Sequence, residues 1–317
     1  MTARRHHHVS QCYLKGFSRD RDKPRLFAVD LQARRCFEPS PANIAAERDF
    51  HKIHVAGLSP DAVEKMFSDF ESELSQAIDR VVASRSIANE NDRALLFNFI
   101  GLLAVKSPRH REGVRSVHEQ IAKRILLLAT ETRERWESQI QRAKEDGDIA
   151  GDVDADYERM RDFVRRDHYS INLLTPYHVQ LELDTFDEIL PYIFGRKWVL
   201  VKAPPDTTGF ITSDHPMCLI WADAAKRGGF FGPGLRRERT HIVFPISNEL
   251  AMIGAFEFED RDIDADKLFM AQINGIVIAH AQRQIYARDN NFVYRMPHNK
   301  GIKNGAKIVS DEGLADT

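Results

Sequence analysis

Trp198-Val199-Leu200-Val201, Gly209-Phe210-Ile211-Thr212, Met217-Cys218-Leu219-Ile220-Trp221, Thr240-His241-Ile242-Val243-Phe244 and Leu250-Ala251-Met252-Ile253-Gly254 crowd into residues 198–254. Each run is short, rich in β-branched and aromatic residues, and bounded by turn formers, which is the pattern of strands in a mostly antiparallel sheet. The region before them is patterned differently. From 59 to 195 the apolar residues recur at three- and four-residue spacing, which is helical. These two halves predict an α+β fold: an N-terminal β-hairpin segment, a helical middle, and a C-terminal mostly antiparallel sheet packed on helices.

Working outward, Asp264 through Gln284 continues past the sheet as a helix with Leu268, Ile273, Ile276 and Val277 inward, feeding a short strand at Ile285-Tyr286-Ala287. In the other direction, Thr175-Pro176 starts a helix that runs to about Phe194. Asn91-Asp92 opens a helix that is apolar almost all round through Leu95–Val105 and is interrupted at Pro108, so it must be covered on most sides. A longer helical stretch follows through Val114, Ile121, Ile125, Leu128 and Trp136, then a heavily charged stretch from 131 to 167. Such charge predicts a solvated helical arm. Ser59-Pro60-Asp61 reads as an N-cap, a proline at the first helical position and an acid near the positive dipole end. Val63, Phe67, Phe70, Leu74, Ile78 and Val81 carry that helix for some seven turns, with Glu64 and Glu71 sharing a face. Ahead of it, Leu26–Asp30 and Arg35–Glu38 predict a hairpin, and Asn43–Glu47 one helical turn. The organisation expected is a single unit over 1–296, divided into 1–58, 59–195 and 196–296, with a flexible polar tail at 297–317.

With Lys+Arg 45 against Asp+Glu 47, a formal net charge of −2 gives no support to a nucleic-acid groove, although it leaves room for a local basic patch. Cys12, Cys36 and Cys218 stand far apart with no CxxC spacing, which argues for a reducing compartment and against a disulfide framework or thiolate zinc site. No apolar run is long enough to span a bilayer, and Met1–Arg5 does not resemble a secretory signal. The expectation is a cytoplasmic protein with no membrane partner.

Chemistry concentrates in two places. His6-His7-His8-Val9-Ser10-Gln11-Cys12-Tyr13-Leu14-Lys15-Gly16-Phe17 sets three imidazoles beside apolar anchors. Besides a site, the run could be a tag remnant or imidazoles satisfying backbone groups of a docked terminus. Leu14 and Phe17 predict docking, with both buried. The second concentration is Thr212-Ser213-Asp214-His215-Pro216, which leaves a predicted strand. Polar residues there are well placed for function, yet an aspartate in such a turn also binds nearby amides. Combined, His6, His7 and Glu71 would be metal ligands with Asp214 and His215 as catalytic groups, and Gln11, Tyr13, Lys106 and Arg109 would contact a ligand. Mixed nitrogen and oxygen donors suit a divalent metal whose bound water attacks an ester or phosphodiester. Geometrically, this requires His6 or His7 to approach Asp214. Neither a Gly-x-Ser-x-Gly elbow nor a Walker or Rossmann glycine pattern is present.

His6-His7, Gln11, Tyr13-Leu14 and Phe17 resemble the opening of the bacterial domain-of-unknown-function 4238 family, with Ser10 where proline is usual. The resemblance continues through Asn43-Ile44-Ala45, Asp49-Phe50, Glu64 to Glu71, Ser107-Pro108-Arg109, Thr212–Pro216 and Phe244-Pro245-Ile246-Ser247. Spread over roughly 10 to 290, it implies one unit and brings no activity of its own. Two functions therefore stand: a metal-assisted hydrolase, such as a phosphodiesterase or nuclease, or a non-catalytic binding or regulatory protein whose histidine-rich segment is structural.

Overall fold

The structure, a computed structural model, describes residues 5–20, 22–48, 62–223, 226, 232–297 and 301–314. In chain order the elements are β1 (Arg5–His7), α1 (Gln11–Lys15), β2 (Phe27–Asp30), β3 (Arg35–Phe37), β4 (Ala46–Arg48), α2 (Ala62–Ser84) and α3 (Glu90–Val105). There follow α4 (Pro108–Ala129), α5 (Arg133–Glu145), α6 (Tyr157–Arg166), α7 (Thr175–Phe194), β5 (Lys197–Lys202), β6 (Thr212–Ser213), β7 (Cys218–Trp221) and β8 (Thr240–Pro245). Then come β9 (Leu250–Ala255), β10 (Arg261–Asp264), α8 (Lys267–His280), β11 (Gln284–Ala287), β12 (Val293–Tyr294) and β13 (Lys303–Asn304). The class is α+β. Two compact units divide it: residues 1–107 with 175–317, and residues 108–174.

The larger unit is organised by a sheet of order β10-β5-β9-β8-β7, antiparallel except for the parallel β10–β5 pair. Its strands read as almost unbroken apolar runs because both faces are covered. Trp198, Leu200, Ile242, Phe244 and Met252 point into one core with Phe97, Phe99 and Ile100 of α3. Val199, Val201, Val243 and Ile253 point into another with Met270, Ile273 and Val277 of α8. Phe97 stacks on Trp198 with ring centroids 4.9 Å apart, so the expected packing of the apolar helix on the sheet holds. On its other sides α3 is covered by α2 and α7. Gly254 is needed where the sheet is tightest: a Cβ there would lie 2.8 Å from the Trp198 ring.

Arg196 is buried beside this sheet. Its guanidinium donates to the carbonyls of Thr240, Gly254 and Leu235 and to Thr240 Oγ1, and lies 4.3 Å from the Phe256 ring centroid. Burial pulls its pKa down to about 10, and four acceptors hold the charge that remains.

Several expectations are corrected. Thr212-Ser213 does not join the large sheet: β6 pairs with β11 in a second sheet of order β3-β2-β11-β6, which also contains the predicted hairpin. Asn89, not Asn91, caps α3, its side chain accepting from the Asp92 amide. The helical stretch past Pro108 breaks at Thr132, whose hydroxyl caps α5. At 41–48 a 3-10 turn at Pro41–Asn43 gives way to β4, which pairs with β1. The tail is ordered over 301–314: β13 pairs with β12, Ile308 is buried, and Asp311 accepts from Tyr294 (2.6 Å) and Lys303 (2.5 Å). Val309 and Leu314 pack beside Ile308, so the segment is held by apolar contacts as well as by the paired aspartate. The predicted start at Ser59 lies outside the described residues.

The smaller unit packs α4, α5 and α6 around Ala129, Trp136 and Tyr157, with Trp136 Nε1 donating to the Ala155 carbonyl at 2.6 Å. Its surface carries the charge expected over 131–167, including Arg133 bridged to Glu158. Among the described residues no helix is long and apolar enough to cross a membrane.

Candidate functional site

The N-terminal segment docks as its apolar spacing predicts. Tyr13, Leu14 and Phe17 are fully buried, and each such side chain contributes about 1.5–3 kcal/mol toward holding the stretch in place. Tyr13 packs between Phe99 and Phe244, and its hydroxyl donates to the Pro245 carbonyl (2.8 Å) while sharing a hydrogen bond with Thr212 Oγ1 (2.7 Å). One side chain thus ties α1 to β8 and β6. Expected as a ligand contact, Tyr13 is instead a tie inside the core.

Docking brings the imidazoles against α2 and the end of α3. His7 Nε2 and Gln11 Nε2 lie 3.0 Å apart. Ser10 caps α1 without a side-chain bond to its backbone, because its hydroxyl donates to Glu71 Oε1 at 2.6 Å. Lys106, the residue that ends α3, is buried with its ammonium 4.0 Å from the Phe67 ring centroid. That ring face and the negative end of the α3 dipole both favour the cation. His8 feels it directly. Burial first, then the charges of Lys106, His7 and His215, lower the His8 pKa from 6.5 to about 3, so the imidazole is neutral near pH 7. Burial and the Glu71 carboxylate push the Cys12 thiol up to about 12, which keeps it protonated and unreactive. His8, Ser10, Glu71 and Lys106 line a cavity of about 10 Å³, roughly the room one water needs. His7, Gln11, Glu71 and His215 are half-buried and form the accessible side of the cluster.

Asp214 does other work. Its carboxylate accepts from the backbone amides of Gln282, Arg283 and Gln284, each at 2.9 Å, and its own amide donates to the Gln284 carbonyl at 3.0 Å. Burial raises its pKa, and the three amides pull against that rise. Arg283 also donates to the buried Asp30 at 2.8 Å, so Asp214 and Asp30 together lock the end of the second sheet. The turn-forming role open to this aspartate is the one its geometry fills. His6 is buried on β1, opposite Glu47 in register. Arg109 is exposed and belongs to the smaller unit. Of the expected residues, His7, Gln11, Glu71, Lys106 and His215 therefore gather around His8 and Ser10. Among the described residues no three His, Cys, Asp or Glu side chains come together so as to hold a metal ion.

His8 and Ser10 stood outside the expected set. The signal for both was local: a third histidine in the run, and a serine where the resembling family has proline.

A family model described as "Protein of unknown function (DUF4238)" matches residues 5–291. The chain belongs to the DUF4238 family. The match spans β1 through β11, so the DUF4238 region includes both the histidine cluster and the Asp214 lock. No curated protein and no solved structure matches the chain.

Proposed function

We propose that this DUF4238 protein is a cytoplasmic binding or regulatory protein that takes a small anion, a phosphate or carboxylate group, at the accessible side of the His7–His8–Lys106–His215 cluster. In this reading the N-terminal segment is first a structural closure of the fold and second the carrier of the site. The observation behind it is the crowding of proton-accepting imidazoles around one buried ammonium. Burial first, and then the charges of Lys106, His7 and His215, keep a proton off His8; those charges also oppose a divalent cation and would be relieved by an anion. Gln11 adds an amide donor at the mouth, and Glu71 confines a ligand to the imidazole side by repulsion.

Inorganic phosphate is the direct probe. At ten times Kd a ligand stabilises by about 1.4 kcal/mol, enough to raise the melting temperature measurably against chloride of equal ionic strength. Lys106→Met should remove that rise. An equal rise in Lys106→Met rejects the site.

Metal-assisted hydrolysis is the second reading, and it would need a metal held by fewer than three of these side chains, since among the described residues no three His, Cys, Asp or Glu gather. It would proceed without Asp214, whose lone pairs are engaged by three amides. Stoichiometric zinc or manganese in protein purified without chelator, together with turnover of a phosphodiester, favours this reading over the first.

A further inference from the structure

In the smaller unit, α5 and α6 turn Trp136, Tyr157 and Val164 inward and show charges such as Arg133, Glu137, Glu158 and Arg165 outward. The helix they pack on is built differently. Ala129 alone is buried on α4, while Val117, Ile121, Ile125, Leu127 and Leu128 stand 44–57% exposed. Steps of four, four and three residues set Val117, Ile121, Ile125 and Leu128 on one stripe, with Leu127 beside it. Val114, half-buried, extends the stripe toward the N-terminus.

The five exposed side chains present apolar surface on the order of 400 Å², the size at which an exposed patch marks an interaction site. Apolar atoms make up about three-fifths of an interface, so two such faces fit one of roughly 1,300 Å² in total. That lies within the range of about 1,200–2,000 Å² found in stable complexes. Charge argues against a membrane as the cover. A helix lying on anionic lipid offers free cations from its polar face. On α4, Arg115 is bridged to Glu112 and Glu119, and Lys123 to Asp167 at 2.7 Å.

We infer that the face is covered by a second copy of this chain, α4 against α4, antiparallel and centred on Ile121. Two-fold symmetry then sets Val117 against Ile125 of the other copy and Val114 against Leu128, apolar on apolar along the whole stripe. Arg124, exposed three residues past Ile121, fixes the direction. A parallel pair in register would press the two Arg124 side chains together. The antiparallel pair sets them six residues apart along the axis, about 9 Å at 1.5 Å per residue. The inference goes beyond the anion site, whose residues all belong to the larger unit.

The test is sedimentation of the full chain over about 1–100 μM, where a reversible dimer is expected. Ile121→Glu should weaken it about thirtyfold or more, the loss of a central contact, with unchanged circular dichroism. Leu174→Glu, at an exposed leucine outside α4, should leave it intact. Direction is read by disulfide trapping in protein whose exposed Cys36 is replaced by serine. Ile121→Cys should link two copies under mild oxidation. Gly113→Cys, where a side chain meets nothing within 4 Å, should not, because the antiparallel pair holds the two positions about 24 Å apart. This trapping decides the matter if Ile121→Glu does not fold. The inference is overturned by a monomer throughout the range, by a dimer that Ile121→Glu leaves intact, or by an equal loss in Leu174→Glu. Linkage through Gly113→Cys as ready as through Ile121→Cys also overturns it. So do monomers that bind phosphatidylglycerol vesicles and lose that binding in Ile121→Glu, which would assign the face to a membrane.

Discussion

Replacing His8 with glutamine should flatten the acid sensitivity of the fold by an amount the structure sets. The folded imidazole has its pKa lowered from 6.5 to about 3, by burial first and then by Lys106, His7 and His215. Below pH 6.5 the unfolded chain therefore takes up a proton at this residue that the folded chain refuses. The unfolded state binds more protons, so this contribution to stability is full above pH 6.5, falls as the pH drops, and levels off near pH 3. At pH 4 the unfolded imidazole lies about 2.5 pH units below its midpoint, which at 1.36 kcal/mol per unit is about 3 kcal/mol. His8→Gln keeps a polar side chain of similar size and cannot titrate. Urea unfolding followed by tryptophan fluorescence, at pH 7 and pH 4, gives the difference directly. The wild-type protein should lose about 3 kcal/mol more than His8→Gln over that interval. Equal losses in the two proteins would refute the placement of His8 beside Lys106 in a buried site.

Asp214→Ala leaves three partly buried amides without their acceptor and should cost about 2–4 kcal/mol in urea denaturation; a change under about 1 kcal/mol would return Asp214 to the candidate catalytic groups. Tyr13→Phe removes only the hydroxyl that joins Pro245 and Thr212. It should cost about 1–3 kcal/mol with no change in far-ultraviolet circular dichroism. Gly275→Ala forces a methyl against the Arg295 carbonyl. It should destabilise by about 1–3 kcal/mol and loosen residues 292–296 in hydrogen exchange. Lys106→Met removes the largest charge effect on His8, and the His8 imidazole pKa, followed by NMR, should rise from about 3 while burial keeps it below 6.5.

Much of the fold was legible because its signals are local. Thr175-Pro176 marks the start of α7 to the residue, the two apolar runs flanking Gln32-Ala33 form the hairpin, and the all-round apolar run in α3 meets cover on every side. What sequence could not show is pairing across long separations. Two-residue β6 looks like any of the neighbouring strands, and only its partner β11, some seventy residues on, assigns it to the second sheet. The same distance hides the role of Asp214, since its amides come from 282–284. Its carboxylate also looked free for chemistry because a sequence displays a side chain's type and not its bonds. His7, Gln11, Glu71, Lys106 and His215 were named from the sequence, while His8 and Ser10 were not; what sequence could not show is that α2 and α3 bring Glu71 and Lys106 to the terminus, and the full depression of the His8 pKa exists only once it is buried beside Lys106. The tail misled because Ile302, Ile308, Val309 and Leu314 are scattered through a polar stretch without periodicity, yet Ile308 is buried and Val309 and Leu314 pack beside it.

The most direct test of the anion site is the NMR titration of the His7, His8 and His215 imidazoles with and without inorganic phosphate. A bound anion favours the protonated form of each neighbouring imidazole. Saturating phosphate should therefore raise the His8 pKa from about 3 toward neutrality and shift His7 and His215 in parallel, and Lys106→Met should abolish the response. Imidazole titrations that are superimposable with and without phosphate would contradict the account.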